Sequence, residues 1–196
     1  MSKIIKGKAL WSKVFEPDTK FDANGVYSIS VLVPELEAQE MCENLDKIVE
    51  ERLATEVKEK PKLKESLTTR KGYERATDKD GNETGEIEFK VKLKAKVQAK
   101  DGSTYTQKPI VVDAKRTPMS KESLIGNGST VKVAFEPFAY AMMSTKQVGV
   151  SLRLKGVQVI DLVEFGNANS MFDEEEGFTA NQIEKAMEFE ENHADF

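Results

Sequence analysis

The chain has 196 residues, enough for one domain with a buried core, and 39% of them are hydrophobic while 32% are charged. No apolar run approaches the roughly 20 residues of a membrane-spanning helix, and the N-terminus lacks the apolar stretch of a secretory signal. A single cysteine, Cys42, and a single histidine, His193, exclude an internal disulfide and a Cys/His zinc site, so we expect a cytoplasmic protein without metal or other cofactor.

Charge is distributed unevenly along the chain, whose formal net charge is -5. Residues 166–196 contain nine acidic side chains against one basic side chain, Lys185, so the preceding 165 residues are mildly basic. Such asymmetry indicates a polyanion as partner of the basic part. We therefore predict a folded domain over residues 1–165 and an acidic tail over residues 166–196.

Two strands and a helix are predicted in the first 60 residues. β-prone residues over positions 4–17 indicate a first strand, and "VYSISVLVP" alternates apolar and polar residues as a second strand does. Over residues 35–60, apolar side chains recur at spacings of three and four, which predicts an amphipathic helix. We expect its apolar face to pack on the same domain, and a second protomer in a homodimer is the alternative. The face comprises Leu36, Met41, Leu45, Ile48, Val49 and Leu53.

The remaining predicted elements are strands. A short strand over residues 69–76 is joined by the turn sequence "DKDGN" to a long strand over residues 86–100. A second Asp-Gly turn leads into "YTQKPIVVDA", and the later segments "TVKVAFEPFAYAM" and "VGVSLRLKGVQVIDLVEF" are long and strand-like. Six or seven strands with one inserted helix predict a small, mainly antiparallel barrel or sandwich, and strand number alone does not decide between them.

The long strand contains "EFKVKLKAK", in which apolar residues and lysines alternate. The alternation predicts that Phe89, Val91, Leu93 and Ala95 are buried, and that the opposite face carries Lys90, Lys92, Lys94 and Lys96 about 6.6 Å apart. Such a row can contact successive phosphates, or it can simply protect a sheet from aggregation. Further basic residues on neighbouring segments favour phosphate binding. They are Arg70, Lys71, Arg75, Lys108, Lys115 and Arg116.

Three aromatic residues are candidate stacking platforms for bases, because proteins that bind single strands combine basic grooves with exposed rings. Tyr73 and Tyr105 have polar neighbours in "TTRKGYER" and "GSTYTQK", which favours their exposure. Trp11 is the third candidate, and core packing is its alternative because it shares strand parity with Phe15. Core packing is also the alternative for both tyrosines.

Enzymatic motifs are absent from the sequence, which contains no GxxxxGK[ST], GxSxG or HExxH. The acids of residues 173–176 could hold Mg²⁺ in a nuclease, but a solvated acidic tail is the commoner role of such a cluster. The tail ends on Asp195 and Phe196, which can dock on a basic pocket of a partner protein by charge and one ring. It can also compete with nucleic acid for a basic groove, or serve only solubility. We predict a protein that is not an enzyme.

Five segments together resemble the single-stranded DNA-binding proteins of phage replication: "GKALWSKVFEPDTKF", "NGVYSISVLVP", "GNGSTVKVAFEPFAY", "GVSLRLKGVQVIDLVEF" and the terminal "EEEGF" to "ADF". The resemblance implies a mainly β fold, an OB-fold-like antiparallel barrel with one inserted amphipathic helix and an acidic C-terminal tail. It implies sequence-tolerant binding that protects single-stranded DNA during replication and recombination in the host-cell cytoplasm. It also implies a tail that recruits replication or recombination proteins. A protein-interaction module that docks through the helix of residues 35–60 or the tail is the alternative, and a Mg²⁺-dependent nuclease is a further one.

Overall fold

A computed structural model describes residues 2–99, 101–120 and 124–163. In these residues the elements follow in the order β1 (Lys3–Asp18), β2 (Val26–Pro34), α1 (Glu35–Glu59), β3 (Thr68–Arg70), β4 (Tyr73–Thr77), β5 (Glu83–Lys94), β6 (Lys96–Gln98), β7 (Thr104–Thr106), β8 (Ile110–Val112), β9 (Thr130–Met142) and β10 (Gln147–Asp161). A 3-10 helix, Pro61–Ser66, connects α1 to β3. The predicted acidic tail lies outside the described residues.

Five strands form a closed barrel. β1 pairs antiparallel with β2 and with β9, β2 pairs with β5, and β9 pairs with β10. β10 closes the ring by a parallel pairing with β5, in which Leu152 lies opposite Val91 and Arg153 lies opposite Lys92. Closure leaves none of these five strands as a free edge. The prediction of a mainly β, OB-fold-like barrel with one inserted helix is confirmed.

The barrel core follows the alternation seen in the sequence. Phe89, Val91, Leu93 and Ala95 are all buried, as predicted, while the lysines between them point outwards. Inward-facing residues of β9 and β10 complete the interior, with Phe135 among the largest fully buried side chains. The apolar face of β5 therefore fixes which side of this strand is available to a ligand.

Helix α1 packs on the barrel of its own chain, as expected, and contacts β2, β5, β9 and β10. The buried residues Ala38, Leu45 and Val49 recur at spacings of seven and four, so they share one face. The prediction was wrong for Leu36, which is 89% exposed, because it lies about 200° around the helix from Ala38. No described helix is long and apolar enough to cross a membrane.

Two predicted strands are divided in the structure. The segment 69–76 is split at Gly72, whose φ of 78° turns the chain from β3, which pairs with β10, to β4, which pairs with β5. The long strand of residues 86–100 begins earlier, at Glu83, and ends at Lys94. The amide of Ala95 donates to the carbonyl of Gly25 at 2.8 Å, and the chain then leaves the barrel as a separate β6–β7 hairpin.

Candidate nucleic-acid interface

A groove of about 580 Å³ lies on the outer surface of the barrel beside β5. Its walls come from β3, β4, β5, β10 and the β6–β7 hairpin, with one residue each from β2 and β9, so segments distant in sequence meet there. We call it the main groove. The charged and polar or aromatic side chains that line it are Arg70, Lys71, Tyr73, Glu74, Lys90, Lys92, Lys94, Tyr105, Gln107, Tyr140, Ser151 and Arg153.

A second, smaller depression of about 390 Å³ contains Trp11 and lies on the β1–β2 side of β5. The pairing of β1 with β2 shifts register between Leu10 and Lys13, and Trp11 in this bulge has a φ of 50°. Its backbone amide donates to Oδ1 of Asn127 at 2.9 Å, and its indole is 70% exposed. The bulge therefore turns Trp11 outwards, whereas Phe15 is buried. We call this depression the Trp11 pocket.

The lysines of the alternating segment differ in their surroundings. Lys92 lines both the main groove and the Trp11 pocket, and it has no ion pair within the described part of the chain. Lys90 lines both as well, but its ammonium is paired with Glu74, and this hydrogen bond raises its pKa. Lys94 lines the main groove with its Nζ 3.8 Å from Oδ2 of Asp22. Lys96 begins β6 and does not line the groove.

Sequence reasoning missed Arg153, which the parallel pairing of β10 with β5 places opposite Lys92. Its guanidinium carbon lies 5.0 Å from the ring centroid of Phe138, a cation–π arrangement, and both side chains are exposed. The alternation around Arg153 indicated an outward direction. The pairing of Arg153 with β5 could not be predicted, because a parallel contact between residues about 60 positions apart has no signal in the local sequence.

Tyr73 lines the main groove but also joins α1 to the barrel. Its hydroxyl donates to Oδ1 of Asp46 at 2.9 Å, and its ring centroid lies 5.8 Å from that of the buried Phe89. Burial, followed by the hydrogen bond to Asp46, raises the pKa of Tyr73. Nζ of Lys71 contacts the other oxygen of Asp46 at 2.9 Å. Tyr105, on the hairpin, is half exposed and is a freer candidate for stacking.

The other predicted site residues lie elsewhere. Arg75 forms ion pairs with Glu35 at 2.8 Å and Glu83 at 2.6 Å, outside the groove. Lys115 and Arg116 belong to a turn whose carbonyls accept hydrogen bonds from Gln158, on the other half of β10. Lys108 follows Gln107 in the chain and is exposed, but unlike Gln107 it does not line the main groove. The tail residues Asp195 and Phe196 lie outside the described residues.

No group of three His, Cys, Asp or Glu side chains within residues 2–99, 101–120 and 124–163 is arranged to hold a metal ion. Carboxylates do approach two of the groove lysines: Glu74 and Glu88 lie near Lys90, and Asp22 lies near Lys94. The interface therefore offers cations and rings, with Glu74 and Glu88 beside Lys90.

The family described as "Single-stranded DNA-binding protein, Bacteriophage T7" matches residues 9–162. The chain belongs to this family. Among curated relatives, the single-stranded DNA-binding protein of Escherichia phage T7 is 29% identical over 172 residues, which cover 83% of this chain and 74% of the relative. That of Enterobacteria phage T3 is 27% identical over 178 residues, covering 85% of this chain and 77% of the relative. The resemblance to phage single-stranded DNA-binding proteins is thus confirmed.

Solved structures agree with the family assignment. The crystal structure of gp2.5, a single-stranded DNA-binding protein encoded by bacteriophage T7, aligns with a TM-score of 0.67 and 26% identity. The alignment covers 92% of this chain and all of that one. The single-stranded DNA-binding protein of bacteriophage Enc34, solved in complex with single-stranded DNA, aligns with a TM-score of 0.54 and 15% identity over 84% of this chain and 89% of that one. At that identity the Enc34 likeness shows the shared fold alone.

Proposed function

We propose that the protein binds single-stranded DNA without base-sequence preference and coats it during phage DNA replication and recombination. The observation that carries the proposal is the main groove, where cations from three different strands converge beside exposed rings. Arg70, Lys92 and Arg153 line it and form no ion pair with a carboxylate in the described part of the chain, although Glu136 lies opposite Arg153 on β9. An anion relieves the repulsion among these cations, and a polyanion does so along the whole groove.

Rings provide the second half of the interaction. Tyr105 lines the main groove, Phe138 lies beneath Arg153, and Trp11 stands in the adjoining pocket. Every base has a π-face, so stacking on these rings tolerates any sequence. Bases within a duplex already stack on their neighbours and cannot splay onto the protein. The arrangement therefore favours a single strand over a duplex, with phosphates on the cations and bases on the rings.

Residues 1–165 serve in this proposal as the DNA-binding domain and residues 166–196 as the acidic tail. The high negative charge of the tail supports a role as competitor for the basic groove, because both it and DNA are polyanions. Its end, Asp195 and Phe196, is proposed to bind replication or recombination proteins. The protein acts by binding and not by catalysis, in the cytoplasm of the host cell.

The proposal is tested by fluorescence titration of a labelled oligo-dT strand, with a duplex of equal length as control. Tight binding at low salt that weakens as salt rises, together with weaker duplex binding, is expected. No binding of the single strand at low salt would reject the proposal and leave the protein-interaction alternative. Repeating the titration with Mg²⁺ distinguishes the nuclease alternative, in which the labelled strand would be shortened.

A further inference from the structure

Two carboxylates face each other beside the main groove. In the antiparallel pairing of β4 with β5, Glu74 lies directly opposite Glu88, so both side chains stand on the same, outer face. Like charges at directly opposed positions destabilise a sheet. Lys90, two residues further along β5, contacts the carboxylate of Glu74 and lies 3.9 Å from that of Glu88. One lysine thus compensates two acids.

These three residues stand on the boundary between the two depressions. Glu74 lines the main groove, Glu88 lines the Trp11 pocket, and Lys90 lines both. A DNA strand that occupies both depressions must cross β5 beside this boundary. Lys92 is the next cation along the same face of β5 and lines both depressions too. The crossing strand therefore meets one paired lysine and one unpaired lysine.

We propose that Glu74 limits the affinity of the groove for single-stranded DNA by occupying Lys90 in the place of a phosphate. The inference rests on the proposed function. A phosphate that contacts Lys90 competes with Glu74 for the ammonium and meets the negative charge of its carboxylate, so the energy of the new contact is partly offset. Lys90 consequently adds little to binding while Glu74 is present.

Exposure and neighbouring charge make Glu74 the competitor that matters. The side chains of Glu74 and Lys90 are 58% and 45% exposed, and exposed ion pairs are weak enough to exchange with a ligand. Glu88 is only 17% exposed and its oxygen is farther from Lys90, so it supplies less compensation. Arg70 lies close enough to disfavour the charge on Lys90. Without Glu74, Lys90 and Arg70 would form an under-compensated cation pair that attracts a phosphate.

The test compares E74Q with a matched control, E83Q, in the oligo-dT titration. Both substitutions remove one negative charge from the β4–β5 hairpin, but Glu83 pairs with Arg75 outside the groove. We expect E74Q to raise affinity about two- to fivefold at low salt, the range of an exposed ion pair. Its salt slope should steepen by about 0.7, the value for one more phosphate contact with a single strand. E83Q should change neither quantity.

A double-variant cycle separates the pair from the general field of the protein. In a K90S background, E74Q should no longer raise affinity, because the ammonium that it frees is gone. The proposed role of Glu74 is overturned if E74Q raises affinity equally with and without Lys90. It is also overturned if the wild-type protein binds oligo-dT and E74Q does not raise its affinity. Thermal unfolding checks each variant, and E74S repeats the test with a smaller side chain. Absence of binding by the wild-type protein would instead overturn the proposed function.

Discussion

Lysines that share one sequence pattern have different surroundings in the main groove. Lys90 and Lys92 both belong to "EFKVKLKAK", and both point outwards from β5. Lys90 is held by carboxylates, whereas Lys92 faces both depressions without an ion pair in the described residues. Because a free cation gains a full phosphate contact and a paired one exchanges partners, their contributions to binding should differ.

Replacing Lys92 by Ser should therefore weaken single-stranded DNA binding severalfold and flatten the salt slope by about 0.7. Replacing Lys90 by Ser should change both quantities less, because Lys90 is already paired with Glu74. Oligo-dT titrations at four or five salt concentrations measure both effects, with thermal unfolding as the control for folding. Equal losses for the two variants would show that the ion pair has no influence on binding.

Trp11 is the chain's single tryptophan and is exposed in its pocket, so it reports on its own environment. Stacking of a base on the indole should quench the intrinsic fluorescence during titration with unlabelled oligo-dT. Replacing Trp11 by Ala should cost about 1–3 kcal/mol of binding free energy, and W11F should restore part of it because a ring remains. Unchanged fluorescence at saturation would exclude Trp11 as a platform.

Alternation predicted the direction of the β5 side chains, because a strand has a fixed period of two. It could not distinguish Lys90 from Lys92, since the distinction depends on Glu74 on another strand. It placed Trp11 and Phe15 on the same side, and the bulge after Leu10 separated them. Arg153 escaped prediction because its neighbour on β5 is fixed only by barrel closure.

At the scale of elements, Tyr73 connects β4 to helix α1 through Asp46. Replacing Tyr73 by Phe keeps the ring against Phe89 but removes a hydrogen bond to a carboxylate. We expect a loss of about 1–2 kcal/mol in the free energy of unfolding, because this bond involves a charged acceptor and is partly exposed. Urea unfolding at neutral pH measures the loss. No loss would show that this hydrogen bond does not stabilise the fold.

The same variant has a defined pH dependence. Folding raises the pKa of Tyr73 above the ordinary value of about 10, so the unfolded chain loses this proton first as pH rises. Stability from Tyr73 is therefore fully present below about pH 10 and declines above it. Y73F should lack this decline. The difference in the free energy of unfolding between the wild-type protein and Y73F should therefore narrow from pH 9 to pH 11. A difference that stays constant over this pH range would contradict the raised pKa of Tyr73.

Local periodicity accounts for the elements that sequence predicted well. The helix was expected over residues 35–60 and is Glu35–Glu59, while the second strand was expected as "VYSISVLVP" and is Val26–Pro34. The divisions of the two strands could not be predicted, because each break is determined by contacts with residues that are distant in sequence. Near Gly72, an added Cβ would lie 3.0 Å from the carbonyl oxygen of Val150 on β10, a contact that the sequence does not show.

For the whole molecule, the division of charge is the feature with the widest consequence. A net charge of -5 is unusual for a protein that binds nucleic acid, yet residues 166–196 hold nine acidic side chains against one basic side chain and the preceding residues are mildly basic. Removing this segment should tighten oligo-dT binding at low salt, and the gain should shrink as salt rises, because salt screens the competition. A tail of scrambled order should behave as the wild type does. Affinity that is unchanged by truncation at every salt concentration would reject a competing tail.

The location of the DNA can be tested with two variants of equal charge. K92S/R153S removes two cations from the main groove, and K115S/R116S removes two from the turn beside the other half of β10. Titration of both with oligo-dT across salt concentrations is the most direct measurement. The groove variant should lose affinity and about 1.4 of salt slope, the value for two phosphate contacts, while the turn variant should match the wild type. Equal losses, or a groove variant that is folded and binds normally, would contradict DNA binding in the main groove.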